Sequence, residues 1–300
     1  MSLWRLLGSF LVSQLQNVST VDLYYVCQVV DGVARQPGNF LRHIEDIFGD
    51  ASSVLLVRRF PRWTSFHIFI EEVIASLIWE NANNRSDVVA NGLWIDHLLD
   101  ANEDAISDEQ WDKINSHRRM VDGYFDMLRD EQIIADISEH VAKQVFHVLF
   151  SNRGTMKAFG EMVTYYLQSA AISFEPDAFC KTGSLKRVGI PAWAKSAVFH
   201  RDKGRCVFCK TDLTKLFSQL DAINYDHIIP LAAGGANCVT NLQLSCSTCN
   251  GSKGARHSDT SDEYEVWFDQ IETASRRVRV YAHHTHATNT PPPVRQHRCA

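Results

Sequence analysis

Ile134, Ile137, Val141, Val145 and Leu149 recur at steps of three and four residues, with Asp136, Glu139 and Lys143 between them. That spacing gathers the apolar side chains on one face of a helix. Upstream, Ser107 and Gln110 have capping-box spacing ahead of WDKINSHRRMVDGYFDML, so 107–150 is the best helical stretch. TSFHIFIEEVIASLIWENA (64–82) and MKAFGEMVTYYLQSAAISF (156–174) are further helices, and ASSVLLVRRF (51–60) suggests a short strand. The opening MSLWRLLGSFLVSQL has a short apolar run interrupted by Arg5 and no small-residue cleavage site. It reads as a helix rather than a signal peptide. No stretch reaches the roughly 18 apolar residues of a membrane span; the 64–82 run carries Glu71 and Glu72 in its middle. Residues 1–182 therefore read as a mainly α-helical domain, without an internal repeat or a motif of catalytic spacing.

The pattern changes in EPDAFCKTGSLKRVGIPAWAKS (175–196), which holds two prolines and two glycines. A second domain, 183–282, begins there. IPAWAKSAVFHRDKGRC reads as a short helix started at Pro191 and closed by a turn at Lys203-Gly204. Thr260 and Glu263 are spaced as another capping box, so a helix is expected to follow. The polar, Pro-rich tail 283–300 reads as disordered, and its His283, His284 and His286 as no metal site.

Composition adds little until it is split. Hydrophobic residues make up 45% and charged residues 22%, as in ordinary soluble globular chains. The net charge of −5 conceals an asymmetry: residues 1–180 carry 14 Lys and Arg against 25 Asp and Glu, and residues 181–300 carry 16 against 10. A basic carboxyl-terminal part suggests a polyanion-binding module joined to something else.

The cysteines sharpen this. Of eight, Cys27, Cys180, Cys238 and Cys299 are scattered, whereas Cys206-Val-Phe-Cys209 and Cys246-Ser-Thr-Cys249 form two Cys-x-x-Cys turns. Each turn brings two thiolates to one ion, and two turns complete the closed tetrahedral site of a structural Zn²⁺. A closed site holds a fold and performs no chemistry, so the segment between the turns is the functional payload. There Asp226-His227 precedes Ile-Ile-Pro, Gly234-Gly235 and Asn241-Leu242, and Asn250 directly follows the second turn.

Phosphodiester hydrolysis needs a base for water and charge neutralisation at phosphorus and at the leaving oxygen. His227 is suited to the first task. A divalent ion suits the others, with Asp226 as its hard ligand and Asn250 as a second from the opposite wall. Adjacent residues of a regular strand face opposite ways, so Asp226 and His227 serve one phosphate only if the strand bends or ends there.

The run RDKGRCVFCK … YDHIIPLAAGGANCVTNLQLSCSTCNGSKG, about residues 201–256, resembles the HNH endonucleases, the ββα-metal nucleases, in their zinc-knuckle form. The resemblance implies a small α+β (ββα-metal) domain after the helical one. It implies His227 as general base, Asp226 and Asn250 as ligands of the catalytic ion, and Asn241 as a brace for the loop between the strands. Asn250 stands where many members carry His, which favours Mg²⁺ or Mn²⁺ over nitrogen-seeking ions. Lys253, Arg256 and Arg201 are candidate phosphate contacts.

The expected activity is hydrolysis of DNA, with RNA as another substrate, leaving 5′-phosphate and 3′-hydroxyl ends. Residues 185–282 are expected to fold and cleave alone. The helical domain is expected to sense, regulate, dimerise or recruit a partner protein, as in a cytoplasmic nuclease effector of antiviral defence. The alternative is a zinc-stabilised DNA-binding or interaction protein without catalysis.

Overall fold

The structure, a computed structural model, describes residues 23–39, 56–84, 92–118, 123–166, 176–215, 223–255 and 257–263. It is mainly helical, with one small two-stranded sheet and a cysteine cluster. The helical part comprises α1 (Leu23–Arg35), α2 (Ser65–Asn83), α3 (Trp94–Ala101), α4 (Asp108–His117), α5 (Tyr124–Asp130), α6 (Ile133–Phe150) and α7 (Arg153–Tyr166). After it come α8 (Ala192–Arg201), β1 (Asn224–His227), β2 (Leu242–Ser245) and α9 (Ser247–Lys253). Among the described residues no helix is long and apolar enough to cross a membrane.

Local chemistry sets these limits. Thr64 and Ser107 cap α2 and α4 through reciprocal side-chain and backbone hydrogen bonds with the residue three positions on. The stretch 107–150 is not one helix: Gly123 (φ 84°) and Gln132 (φ 62°) adopt left-handed conformations that separate α4, α5 and α6. Along α6, Ile133, Ile137, Val141, Val145 and Leu149 are buried, whereas Ile134 is half-buried. The last helix of this part starts three residues earlier than expected, at Arg153. The strand expected at 51–60 is absent from its described half, where Leu56 and Val57 are helical and buried. Residues 261–263 have no regular structure. The amino-terminal helix, residues 51–55, the end of the helix at 156–174, the rest of the helix after Thr260 and the tail lie outside the described residues.

α6 runs along α2, and α7 along α1. Their core continues into the sheet region, because Ile228, Ile229 and Leu231 are buried in it with Phe66, Phe69 and Phe159. A second cluster joins Val198 of α8, Leu213, Val239, Leu242 and Leu244 to Cys206 and Cys246, and Phe150 at the end of α6 packs against both. The chain divides after Asp262; of the part beyond, only Glu263 is described. The boundary expected at 182 thus separates charge composition but not cores.

An ionic lattice reinforces this junction. Asp202 is fully buried and receives Arg201 Nε (2.8 Å), Arg153 Nη1 (3.4 Å) and the backbone N–H of Leu244 (2.9 Å). Arg153, from α7, also donates twice to the carbonyl of Ser261. Above it stands a column of rings: Trp63 on His67 (centroids 4.3 Å), His67 on Phe146 (3.9 Å) and Phe146 on Phe150 (5.3 Å), with the Arg201 guanidinium 4.9 Å from the Phe150 centroid. Burial lowers the His67 pKa to about 4, so His67 enters the column as a neutral ring.

Glu71 on α2 behaves oppositely. Burial, reinforced by Glu139 and Glu72, pushes its carboxyl up to about 7. A folded-state pKa above the unfolded one means that the folded chain holds a proton the unfolded chain releases. The associated stability is full below about pH 4.5 and lost as pH rises through about 7. Glu71→Gln should therefore melt with the wild type at acid pH and above it at pH 8. Thermal melts at both values check this; a gap that does not widen from acid pH to pH 8 contradicts the assignment.

Candidate active site

Four cysteines converge first. The ligand atoms of Cys206, Cys209, Cys246 and Cys249 all lie within 4.8 Å of one another, and the Sγ atoms of Cys209 and Cys246 are 3.7 Å apart. A tetrahedral site with Zn–S bonds near 2.3 Å has sulfur–sulfur edges of about 3.8 Å, so the quartet can hold zinc. Burial opposes ionisation of Cys209, but hydrogen bonds with Thr211 and the neighbouring thiols outweigh it and bring the thiol down to about 6. Burial and the other thiols push Cys249 up. Four sulfur ligands this close could hold one cation. Backbone bonds set the two turns: Lys210 N–H to Cys206 O, Asn250 N–H to Cys246 O, and Val207 N–H to Leu244 O, which ties the first turn to β2.

β1 and β2 are antiparallel, with Asp226 opposite Gln243 and His227 opposite Leu242. β1 ends at His227. The chain then turns through Ile228, Ile229 and Pro230 into a short 3₁₀ turn, Leu231–Ala233. Asn241 holds that turn. Its Oδ1 accepts from Ile229 N–H (2.9 Å), and its Nδ2 donates to the carbonyls of Ile229 (2.9 Å) and Ala236 (3.0 Å). Gly235 is required beside it, since a Cβ there would lie 1.9 Å from the Ile229 oxygen. Ile229 in turn packs against α7, where a Cβ at Gly160 would lie 2.7 Å from its Cδ1 and oblige the side chain to shift.

His227 is 3% exposed and its Nε2 is buried without a hydrogen-bond partner. Burial, then the positive charge of Arg187, lowers its pKa to about 4 against the opposing pull of Asp226. The imidazole is neutral at physiological pH. Asp226 has one oxygen engaged: Oδ2 receives Lys253 Nζ (2.9 Å) and Gln243 Nε2 (3.0 Å). Among the described residues neither Asp226 Oδ1 nor the Asn250 carboxamide has a hydrogen-bond partner. Asn250 lies three residues before Lys253 on α9, hence on the helix face that meets β1. Two strands and a helix thus meet around the Asp226-His227 pair. Residues 206–263 match the HNH endonuclease family model. No curated protein and no solved structure matches the chain.

Within the HNH segment the Asp226 carboxylate and the Asn250 amide are oxygen donors of the kind a hard divalent ion takes. The cationic candidates fare differently. Arg201 is corrected. Its side chain is 2% exposed and spent on Asp202 and the Leu242 carbonyl (2.6 Å), so it braces β2 and cannot meet a phosphate. Lys253 is also 2% exposed, bound to Asp226 and to the His227 carbonyl. Arg256 lies outside the described residues. Two contributors escaped the sequence reading. Gln243, fully buried, ties Asp226 to the carbonyl of Asp259 (2.9 Å). Arg187 is exposed, yet its charge acts on His227. The only sequence signal for Gln243 was its place opposite Asp226 once the strands are paired; for Arg187 there was none.

Proposed function

We propose that the chain is a metal-dependent endonuclease that hydrolyses phosphodiester bonds in DNA, with His227 as general base and Asp226 and Asn250 as ligands of a Mg²⁺ or Mn²⁺ ion. The observation that carries this reading is the end of β1: a neutral, buried imidazole with an unpartnered nitrogen, next to a carboxylate with one uncommitted oxygen, under a helix that carries a second oxygen donor. His227 takes the proton of the attacking water. Its neutrality keeps it competent, and its position where the strand ends lets it share a phosphate with Asp226. A bound divalent ion supplies positive charge to the phosphate and to the leaving oxygen. Asn241 and Gly235 fix the turn that carries His227, and the zinc-binding quartet fixes α9 and hence Asn250. Arg187, exposed beside His227, replaces Arg201 as the candidate phosphate contact.

The helical part scaffolds the site through Gly160, Arg153 and Phe150, and we assign it control of the nuclease. One site cuts one strand; a double-strand break requires a second copy or a second encounter. Purified full-length protein, supercoiled plasmid and Mg²⁺ test the reading. Nicked circles that EDTA suppresses are expected. Binding without nicking in Mg²⁺ and in Mn²⁺ would instead favour a zinc-stabilised DNA-binding module.

A further inference from the structure

We infer that Lys253 is a resident counter-ion of Asp226, which weakens divalent-ion binding to the free protein and ties ion retention to a bound nucleic-acid phosphate. This rests on the reading of Asp226 as a metal ligand. The contacts define the device. Lys253 Nζ, on a side chain 2% exposed, sits 2.9 Å from Asp226 Oδ2 and also donates to the His227 carbonyl. The same Oδ2 accepts from Gln243 Nε2, whose other contact is the Asp259 carbonyl. Oδ2 therefore carries two donors, which leaves Oδ1 as the oxygen available to an ion. Lys253 is a positioning residue here, not a phosphate contact.

The charge count gives the consequence. Asp226 is the sole carboxylate assigned to the ion, and Lys253 already cancels it. With Asn250 neutral, the ligand set presents no net negative charge to a dication, and a fixed ammonium beside it repels one. The missing anion is the substrate's own phosphodiester. By linkage, the ion must tighten nucleic-acid binding by the factor by which nucleic acid tightens the ion.

The test is Mn²⁺ titration, by calorimetry or by loss of the free-ion paramagnetic signal, on zinc-loaded full-length protein. Asp226→Ala identifies which binding belongs to this site. Without DNA, Lys253→Met should bind Mn²⁺ about tenfold more tightly than the wild type, the scale of one unit charge acting on a dication in a water-like dielectric. Lys253→Arg should keep the weak wild-type affinity. In a His227→Ala background, which leaves Lys253 and Asp226 in place, a duplex oligonucleotide should tighten Mn²⁺ about tenfold or more. Unchanged or weaker Mn²⁺ binding by a folded Lys253→Met protein would overturn the proposal. So would an ion affinity indifferent to the oligonucleotide, which needs no Lys253 variant to fold. If instead the wild type binds no Mn²⁺ that Asp226→Ala removes, the ion site itself is misassigned and the nuclease reading fails with it.

Discussion

Cys206→Ser protein is expected to carry no zinc and to lose the fold around β1, β2 and α9. Structural zinc supplies folding free energy directly, on the order of 10 kcal/mol in small zinc modules, which is comparable to the whole stability of an ordinary domain. Cys206 is fully buried, accepts Lys210 N–H at its carbonyl and shares its cluster with Val198, Leu242 and Leu244. Its loss therefore removes a ligand and a core residue together. Cys249→Ser removes only the ligand, because Cys249 is half-buried at the cluster's edge. Metal analysis should give one zinc per wild-type chain and none in either variant. The melting temperature should fall further for Cys206→Ser. A wild-type protein that purifies without zinc yet melts cooperatively would refute the assignment.

His227→Ala should reduce cleavage by about 100- to 10,000-fold, the usual cost of losing a general base, while zinc content and DNA affinity stay near wild type. The ring is buried, but the backbone atoms that organise the site do not depend on it: the His227 carbonyl still receives Lys253, and Ile228 N–H still meets Asn241 O (2.8 Å). Removing an imidazole whose buried Nε2 has no partner also relieves an unsatisfied polar atom. The melting temperature should therefore change little or rise. A rate loss without a stability loss separates catalysis from support. Asn241→Ala should instead lower stability and rate together, because it deletes three hydrogen bonds that hold the turn carrying His227. Plasmid nicking rates alongside thermal melts decide the matter, and a His227→Ala protein that nicks at the wild-type rate removes the mechanism.

The cysteine spacing made the quartet legible, because two Cys-x-x-Cys turns in one chain are the pattern of a shared metal site. The helix starts were legible at Thr64 and Ser107, where capping is a local affair of three or four residues. Less local facts were not. Nothing near Arg201 announced that it would fold inward, since its anchor is the backbone of β2, forty-one residues away. Lys253 looked like a surface charge, because the carboxylate that draws it inside arrives from β1, twenty-seven residues earlier. The break at Gln132 was hidden because a glutamine with positive φ has no sequence signature. Ile228 and Ile229 carried no sign that they would bury themselves among helices assigned to another domain.

That last feature bears on how such a chain can be cut. Severed near residue 185, the HNH segment would bare Ile228, Ile229 and Leu231 to water and leave Asp202 without its bond from Arg153. This runs against the expectation that 185–282 suffices alone. A segment released by proteolysis must survive its release; this one would lose the apolar floor beneath the turn that follows β1. Cleavage of the chain ahead of α8 should unfold the HNH segment rather than free it intact.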